Sequence, residues 1–306
     1  MKQNLILGSR GSNLALKQTG DVKKCLENKF PYLKVNITII KTEGDKDLKS
    51  SLASMGGRGV FVQSIEKALL EKKIDAAVHS LKDLPSNLTK GLILGASPER
   101  VEPRDVFVSR EGTSLASFTK GSVVGTGSPR RRMQLDKICP GLEYKNIRGN
   151  IETRLDKLNN GGFDAIVLAG AAIKRLGMNS INSEFLDVDM FVPAPCQGAI
   201  GIECRADDKE TIEILKAIDN PEVRVCVDAE RLFINILGMG CHMPVGAYAA
   251  LSAGGISFTA FVGSDDWGMI KKTVKLSKER LSERVKKLAE EFRMEIEIMN
   301  SQYYKK

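Results

Sequence analysis

At 306 residues the chain is too long for one ordinary core and suits two or three domains of about a hundred residues each. Its 42% hydrophobic and 27% charged residues, with 28 glycines against 10 prolines, exclude fibrous and low-complexity classes and favour tight turns over disordered linkers. A formal net charge of +8 predicts attraction to anions, and on charge alone nucleic acid, membrane surface and carboxylated metabolites all stay open.

The first apolar run, Leu5 to Leu7, is far too short for a signal peptide, and no later run reaches membrane-spanning length, so a cytoplasmic location is expected. Leu5 to Leu7 reads instead as a buried strand, Gly8 to Ser12 as a turn, and Leu14, Gln18, Val22 and Leu26 as successive turns of a helix. Val35, Ile37 and Ile39 alternate as a second strand, Phe61, Ile65, Ala68 and Leu69 mark a second helix, and Ile74 to Val78 gives a third strand. Such alternation predicts a mainly parallel sheet with helices on both faces. The pattern restarts at Val123 and Val124, which lead into Gly125 to Ser128 and a basic helix start, and Phe163 to Val167 echoes Ile74 to Val78. A second, similarly built lobe is the expectation.

After about residue 217 the character changes. Pro221 opens a helix carrying Val223, Val227, Phe233 and Ile234 that stops at Gly238 and Gly240, which puts Cys241 on a loop. Ile256, Phe258, Ala260 and Val262 alternate as a strand, Asp265 to Gly268 turns the chain into Met269 to Leu276, and Leu281, Val285, Leu288 and Phe292 form a final amphipathic helix. This is a small α+β domain.

Four constellations carry chemistry. Arg10 stands in a Gly/Ser turn between strand and helix, where backbone N–H groups and a guanidinium converge on an anion. Arg130, Arg131 and Arg132 follow the Gly125 to Ser128 turn, with Arg148 and Arg154 close behind; they suit bidentate recognition of carboxylate or phosphate, or else surface ion pairs with Asp136, Glu143 and Glu152. His79 to Pro85 lies at the carboxyl end of a strand, the end that faces the ligand crevice in open α/β sheets, and its Lys82 and Asp83 are either an acid and base for a carboxylated substrate or a solvated pair. Cys241 sits between Gly240 and His242 as an accessible thiol or a small buried one. The six cysteines, at 25, 139, 196, 204, 226 and 241, include no CxxC pair, so neither a metal site nor a disulfide framework is indicated.

Together these stretches resemble the hydroxymethylbilane synthase (porphobilinogen deaminase) family. The likeness runs from Leu7-Gly8-Ser9-Arg10 through Lys41 to Asp45, Gly56 to Phe61, His79 to Pro85, Gly125 to Arg131, Ile147 to Arg154, Pro193 to Ala199 and Gly201 to Arg205, to Cys241 to Gly246. The resemblance implies an α/β fold of two periplasmic-binding-protein-like lobes with mainly parallel mixed sheets, 1–98 with 194–216 and 99–193, plus the small α+β domain, 217–306. It also implies a transferase of tetrapyrrole (haem) biosynthesis that condenses four porphobilinogen molecules, with loss of ammonia, onto a dipyrromethane held by a thioether to Cys241, and then releases linear hydroxymethylbilane by hydrolysis. By matching motif Asp83 is the catalytic carboxylate. Arg10, Ser12, Gln18, Ser80, Lys82, Thr126, Ser128, Arg130, Arg131, Arg148, Arg154, Arg175 and Gln197 are then expected to bind cofactor, substrate or growing chain. No metal is needed, and a monomer with no nucleic-acid or membrane partner is expected.

The chain departs from the family pattern at Arg58, where lysine is common, at Gly127 and Pro129 before Arg130, at Pro195-Cys196 before Gln197, and at Met239 before Cys241. Two other classes compete: a ligand sensor built like a binding protein, which leaves Cys241 without a role, and a nucleic-acid binder, for which the chain lacks aromatic stacking platforms.

Overall fold

A computed structural model describes residues 2–42, 62–178, 181–238 and 243–303. The chain divides into two units, Met1–Val101 with Arg175–Gly177 and Gln197–Val225, and Glu102–Lys174 with Met178–Cys196 and Cys226–Lys306.

Strand β1 (Asn4–Ser9) buries Leu5 and Leu7 completely. Ser12 caps helix α1 (Asn13–Lys29), whose Gln18, Val22 and Leu26 recur every fourth residue and stay buried on one face. Pro31, which cannot continue a helix, follows its last turn. Then come β2 (Lys34–Ile39), α2 (Gln63–Leu70), β3 (Ala76–Ser80), a single 3-10 turn over Leu81–Asp83, and β4 (Leu92–Ala96). The second unit opens with β5 (Asp105–Ser109), β6 (Val123–Gly125), α3 (Pro129–Ile138), β7 (Glu143–Lys145), α4 (Ile151–Asn159), β8 (Ala165–Ala169), α5 (Gly170–Arg175) and β9 (Ser183–Phe185). The chain returns to the first sheet through β10 (Ile200–Arg205) and continues into α6 (Lys209–Lys216) and α7 (Pro221–Leu237).

The two sheets share one plan. Their orders are β2-β1-β3-β10-β4 and β7-β6-β8-β5-β9. In each, three parallel strands lead to an antiparallel fourth, β10 against β3 and β5 against β8, and the fifth strand pairs antiparallel with that fourth. The sequence echo has a physical counterpart here. The Asp75 carboxylate accepts the backbone N–H of Ile6 at 2.8 Å, and the Asp164 carboxylate accepts that of Val123 at 2.8 Å. Each aspartate therefore ties the entry of a central strand to its parallel neighbour.

That tie also corrects the expected boundaries. The runs read as Ile74 to Val78 and Phe163 to Val167 form strands two residues later, at β3 and β8, because their aspartates cap the neighbouring strand before ladder pairing begins. The alternation expected of Val35, Ile37 and Ile39 is not realised either: Val35 is buried, but Ile37 and Ile39 are 37% and 55% exposed. Strand β2 lies at the edge of its sheet. Phe61 lies outside the described residues.

After α7 the chain forms an antiparallel meander, β11 (Val245–Ser252), β12 (Gly255–Ser264) and β13 (Gly268–Leu276), covered by α8 (Leu281–Tyr303). Sequence periodicity gives the last two strands and the helix but not β11, whose Gly-Ala-Tyr-Ala-Ala run lacks bulky alternation. Phe233 of α7 meets Phe258 at 5.5 Å and Phe292 at 5.4 Å between ring centroids, joining helix, sheet and helix into one core. Burial of each such ring stabilises the domain by roughly 1.5–3 kcal/mol.

Candidate functional site

In the first unit the predicted residues gather where β3 and β1 end. Leu81 and Leu84 are buried anchors on either side of Lys82 and Asp83, and the Leu81 N–H donates to the Ala199 carbonyl at 3.0 Å, so the turn is held to the segment entering β10. Ser80 closes β3, and its hydroxyl is bracketed by the buried Gln18 amide, with Nε2 donating at 3.0 Å and Oε1 accepting at 3.1 Å. Lys82 Nζ donates to Gln197 Oε1 at 3.2 Å. Asp83 is half-buried, and among the described residues its carboxylate takes no hydrogen bond or ion pair. By contrast Asp75, Glu99, Asp208 and Asp219 of the same unit are all engaged.

Gln197 itself is fully buried and sits between two left-handed residues, Cys196 at φ 61° and Gly198 at φ 90°. The buried Arg175 donates to the Gly198 carbonyl and to Glu99, each at 3.0 Å, and Arg100 Nε donates to the Gln197 carbonyl at 3.0 Å. Arg175 thus braces the backbone beside Gln197. Arg10 is half-buried just beyond β1, and Ser12 Oγ accepts the Ala15 N–H at 3.4 Å as the cap of α1.

In the second unit the equivalent place is the end of β6. The Ser128 N–H donates to Thr126 Oγ1 at 3.2 Å, and Ser128 Oγ accepts the Arg131 N–H at 3.4 Å as the cap of α3. Pro129 opens that helix, a position where its missing N–H costs nothing. Arg130 and Arg131 then turn inward and are buried, an arrangement that surface ion pairing does not produce. Both converge on the fully buried Asp105: Arg130 reaches Oδ2 at 2.7 Å, and Arg131 donates to Oδ1 through Nε at 2.9 Å and a terminal nitrogen at 2.6 Å. Further donations go to the carbonyls of Val192 from Arg130 at 2.6 Å and of Val167 from Arg131 at 2.7 Å. Two guanidiniums thus meet at one buried carboxylate. Arg132 points elsewhere, to Asp265 at 2.5 Å, while Asp136 takes the Tyr144 hydroxyl at 2.9 Å. Arg148 and Arg154 are half-buried around the left-handed Gly149, φ 115°, whose carbonyl accepts Arg154 Nε at 2.9 Å.

Cys241, His242, Met239 and Arg58 lie outside the described residues. The five described cysteines are unbridged thiols. Burial pushes the thiol of Cys204 up to about 11, and Cys196 is buried with its Sγ 3.7 Å from the Val227 carbonyl, so neither is a ready nucleophile, whereas Cys25 is exposed.

Two important acids escaped the sequence reading. Asp105 heads the apolar run Val106 to Val108, and a lone acid at the mouth of a buried strand was the available signal. Glu230 is fully buried in α7; one carboxylate oxygen accepts the Cys196 N–H at 2.5 Å and the other the Ala249 N–H at 2.7 Å, which staples the segment before Gln197 to β11. No spacing in the sequence announces it.

Residues 5–213 match the family model described as "Porphobilinogen deaminase, dipyromethane cofactor binding domain", and residues 224–294 match "Porphobilinogen deaminase, C-terminal domain". The chain is 47% identical over 260 residues to a porphobilinogen deaminase of Syntrophobacter fumaroxidans, covering 85% of this chain and 84% of the relative. It is 48% identical over 274 residues to that of Halalkalibacterium halodurans, covering 89% and 88%. Among solved structures, a periplasmic binding protein of Salmonella typhimurium aligns at 17% identity and a TM-score of 0.41, over 72% of this chain and 96% of its own.

Proposed function

The chain belongs to the porphobilinogen deaminase family, and from that premise we propose that it is a hydroxymethylbilane synthase whose proton chemistry rests on Asp83. It condenses porphobilinogen units with loss of ammonia and releases the linear tetrapyrrole by hydrolysis. A dipyrromethane bonded through Cys241 would supply a terminal pyrrole with a free, nucleophilic α-carbon. The residues present fit a group of this kind, because carboxylate arms match the guanidiniums that Arg130 and Arg131 bring together at the start of α3. Arg131 uses three of its five donors internally, so it remains able to hold a carboxylate from a fixed position.

The observation that carries the mechanism is the half-buried carboxylate of Asp83, which takes no hydrogen bond or ion pair among the described residues. It accepts the pyrrole N–H of the substrate, stabilises the positive charge that develops as the aminomethyl arm loses ammonia, and takes up the proton that condensation releases. Lys82, oriented by Gln197, supplies a positive charge to a substrate carboxylate beside it. Arg10, Arg148 and Arg154 hold further carboxylates; Thr126 and Ser128 line the start of α3 as hydroxyl donors, and Ser12 does so at α1. Gln18, Ser80, Gln197 and Arg175 contact the ligand from positions already fixed by the bonds described above.

The domains we assign are 1–98 with 194–216 for the lobe of Asp83, 99–193 for the arginine-rich lobe, and 217–306 for the domain of Cys241. No described helix is long and apolar enough to cross a membrane. We assign the enzyme to the cytoplasm as a monomer without a nucleic-acid partner.

Intact-protein mass and peptide mapping test this reading. Purified protein should carry a dipyrromethane on Cys241 and gain successive pyrrole increments when given porphobilinogen, and Cys241→Ser should carry neither. Active enzyme with unmodified Cys241, or an adduct on Cys196, would contradict it.

A further inference from the structure

Strands β3 and β10 pair antiparallel, with His79 opposite Gly201 and Ala77 opposite Glu203. Side chains alternate along a strand, so His79 and Glu203 share one face of the sheet on a diagonal. That face packs under α2, where Ile65, Ala68 and Leu69 meet Ile74, Ala77 and Leu92. Within this apolar setting His79 Nε2 lies 3.4 Å from Glu203 Oε2, with side-chain exposures of 4% and 0%. Among the described residues neither Nε2 nor either Glu203 oxygen has a hydrogen-bond partner. Glu66 of α2 is the third titratable group facing them, and its Oε2 accepts the Thr89 hydroxyl at 2.8 Å. Burial raises the pKa of the Glu66 carboxyl; the Thr89 bond opposes that, Glu203 adds to the rise, and His79 lowers it.

Packing alone does not account for this cluster. A buried carboxylate with no hydrogen bond costs several kcal/mol unless a counter-charge faces it, and an apolar residue of similar volume is commonly as stable or more so. Its place in the chain is informative. His79 lies in β3 four residues before Asp83, just ahead of the 3-10 turn, and Glu203 stands on the strand that begins just after Gln197. Outside the sheet the same two segments are joined again by Lys82 and Gln197.

We infer that His79 and Glu203 are positioning residues, whose buried contact fixes the end of β3 against β10 and thereby sets where Lys82 and Asp83 stand. The inference rests on the role given to Asp83 above. Its consequence is kinetic, since small displacements of a reacting group reduce turnover more than substrate binding.

The test is kcat and KM per mole of folded, cofactor-loaded enzyme for His79→Gln, Glu203→Gln, the double variant and Asp83→Asn. Each single variant should lose about tenfold or more in kcat with KM nearly unchanged. The double variant should lose little more than the worse single variant, because both substitutions remove the same contact. If a single variant loads no cofactor, Glu203→Asp carries the test, because it keeps the carboxyl but withdraws it by a methylene and should lower kcat in the same selective way. Wild-type kcat in folded His79→Gln, Glu203→Gln or Glu203→Asp, with only a lowered melting temperature, overturns the positioning role while leaving Asp83 in place. Normal turnover by Asp83→Asn removes the reading beneath it.

Discussion

In the first unit β1 ends in a Gly/Ser turn, a serine cap and α1, with Arg10 before the cap; in the second β6 ends in a Gly/Thr/Gly/Ser turn, a serine cap and α3, with Arg130 and Arg131 after it. The central strands diverge further. Strand β3 runs out into a 3-10 turn carrying Lys82 and an Asp83 without partners among the described residues, whereas β8 passes directly into α5. The same strand order and the same aspartate ties thus support a half-buried acid, Asp83, past a strand end of one unit and an arginine cradle around Asp105 in the other. The residues just past the strand ends differ, where a substitution leaves the sheet intact.

The largest structural effect should come from the cradle. Arg131→Leu leaves the fully buried Asp105 with fewer counter-charges and should cost about 3 kcal/mol in chemical unfolding, with poor cofactor assembly. Unchanged stability with full cofactor content would show that the second unit does not depend on this cluster and would break the comparison.

The plan of the two sheets was legible because the strand, turn and helix signals are local: Gly/Ser turns, serine caps and fourfold spacing such as Gln18, Val22 and Leu26. The recurring Asp75 and Asp164 were visible as an echo, but their shared duty was not, since it depends on which strand lies alongside. Asp105 was hidden for the same reason, as its partners lie 25 residues or more away in sequence. Glu230 joins the segment at Cys196 to β11, a contact no periodicity encodes, and β11 itself was missed because small residues fill it. Candidate residues were found by type and motif. Sequence could not tell that Arg130 and Arg131 turn inward while Arg132 turns out.

Asp75→Asn and Asp164→Asn sharpen the comparison. Each loses a charge-assisted bond to a backbone N–H, but Asp75 is 17% exposed and also pairs with Lys2 and Arg205, whereas Asp164 is 42% exposed. Denaturant titration should give a loss of about 2 kcal/mol for Asp75→Asn and about 1 for Asp164→Asn. The reverse order would mean that the two ties are not equivalent in kind.

Glu102 gives a comparable effect that is confined to acid. Its bonds from Arg104, reinforced by Lys174 against the opposing effect of burial, hold its carboxyl down at about 2, below the ordinary 4.5. A depressed folded-state pKa stabilises the protein above the unfolded value and ceases to do so as pH falls through the folded one, so this contribution fades between about 4.5 and 2. Allowing for solvent screening of Arg104, which is 40% exposed, it amounts to about 2 kcal/mol. Glu102→Gln should therefore be less stable than the parent at pH 7 and lose less on acidification toward pH 3, as followed by unfolding midpoints at each pH. Parallel acid curves for the two proteins would remove Glu102 from the acid response.

Single-turnover ammonia release by Asp83 variants tests the central claim most directly, on samples matched to the parent in circular dichroism and dipyrromethane content. Asparagine keeps the size of the side chain but loses its charge and its exchangeable proton, so Asp83→Asn should fold and scarcely release ammonia. Glutamate keeps the acid a methylene out of place, so Asp83→Glu should remain slow but measurable and accumulate enzyme carrying partial chains, visible by intact mass. Near-parental release by Asp83→Asn would contradict the account.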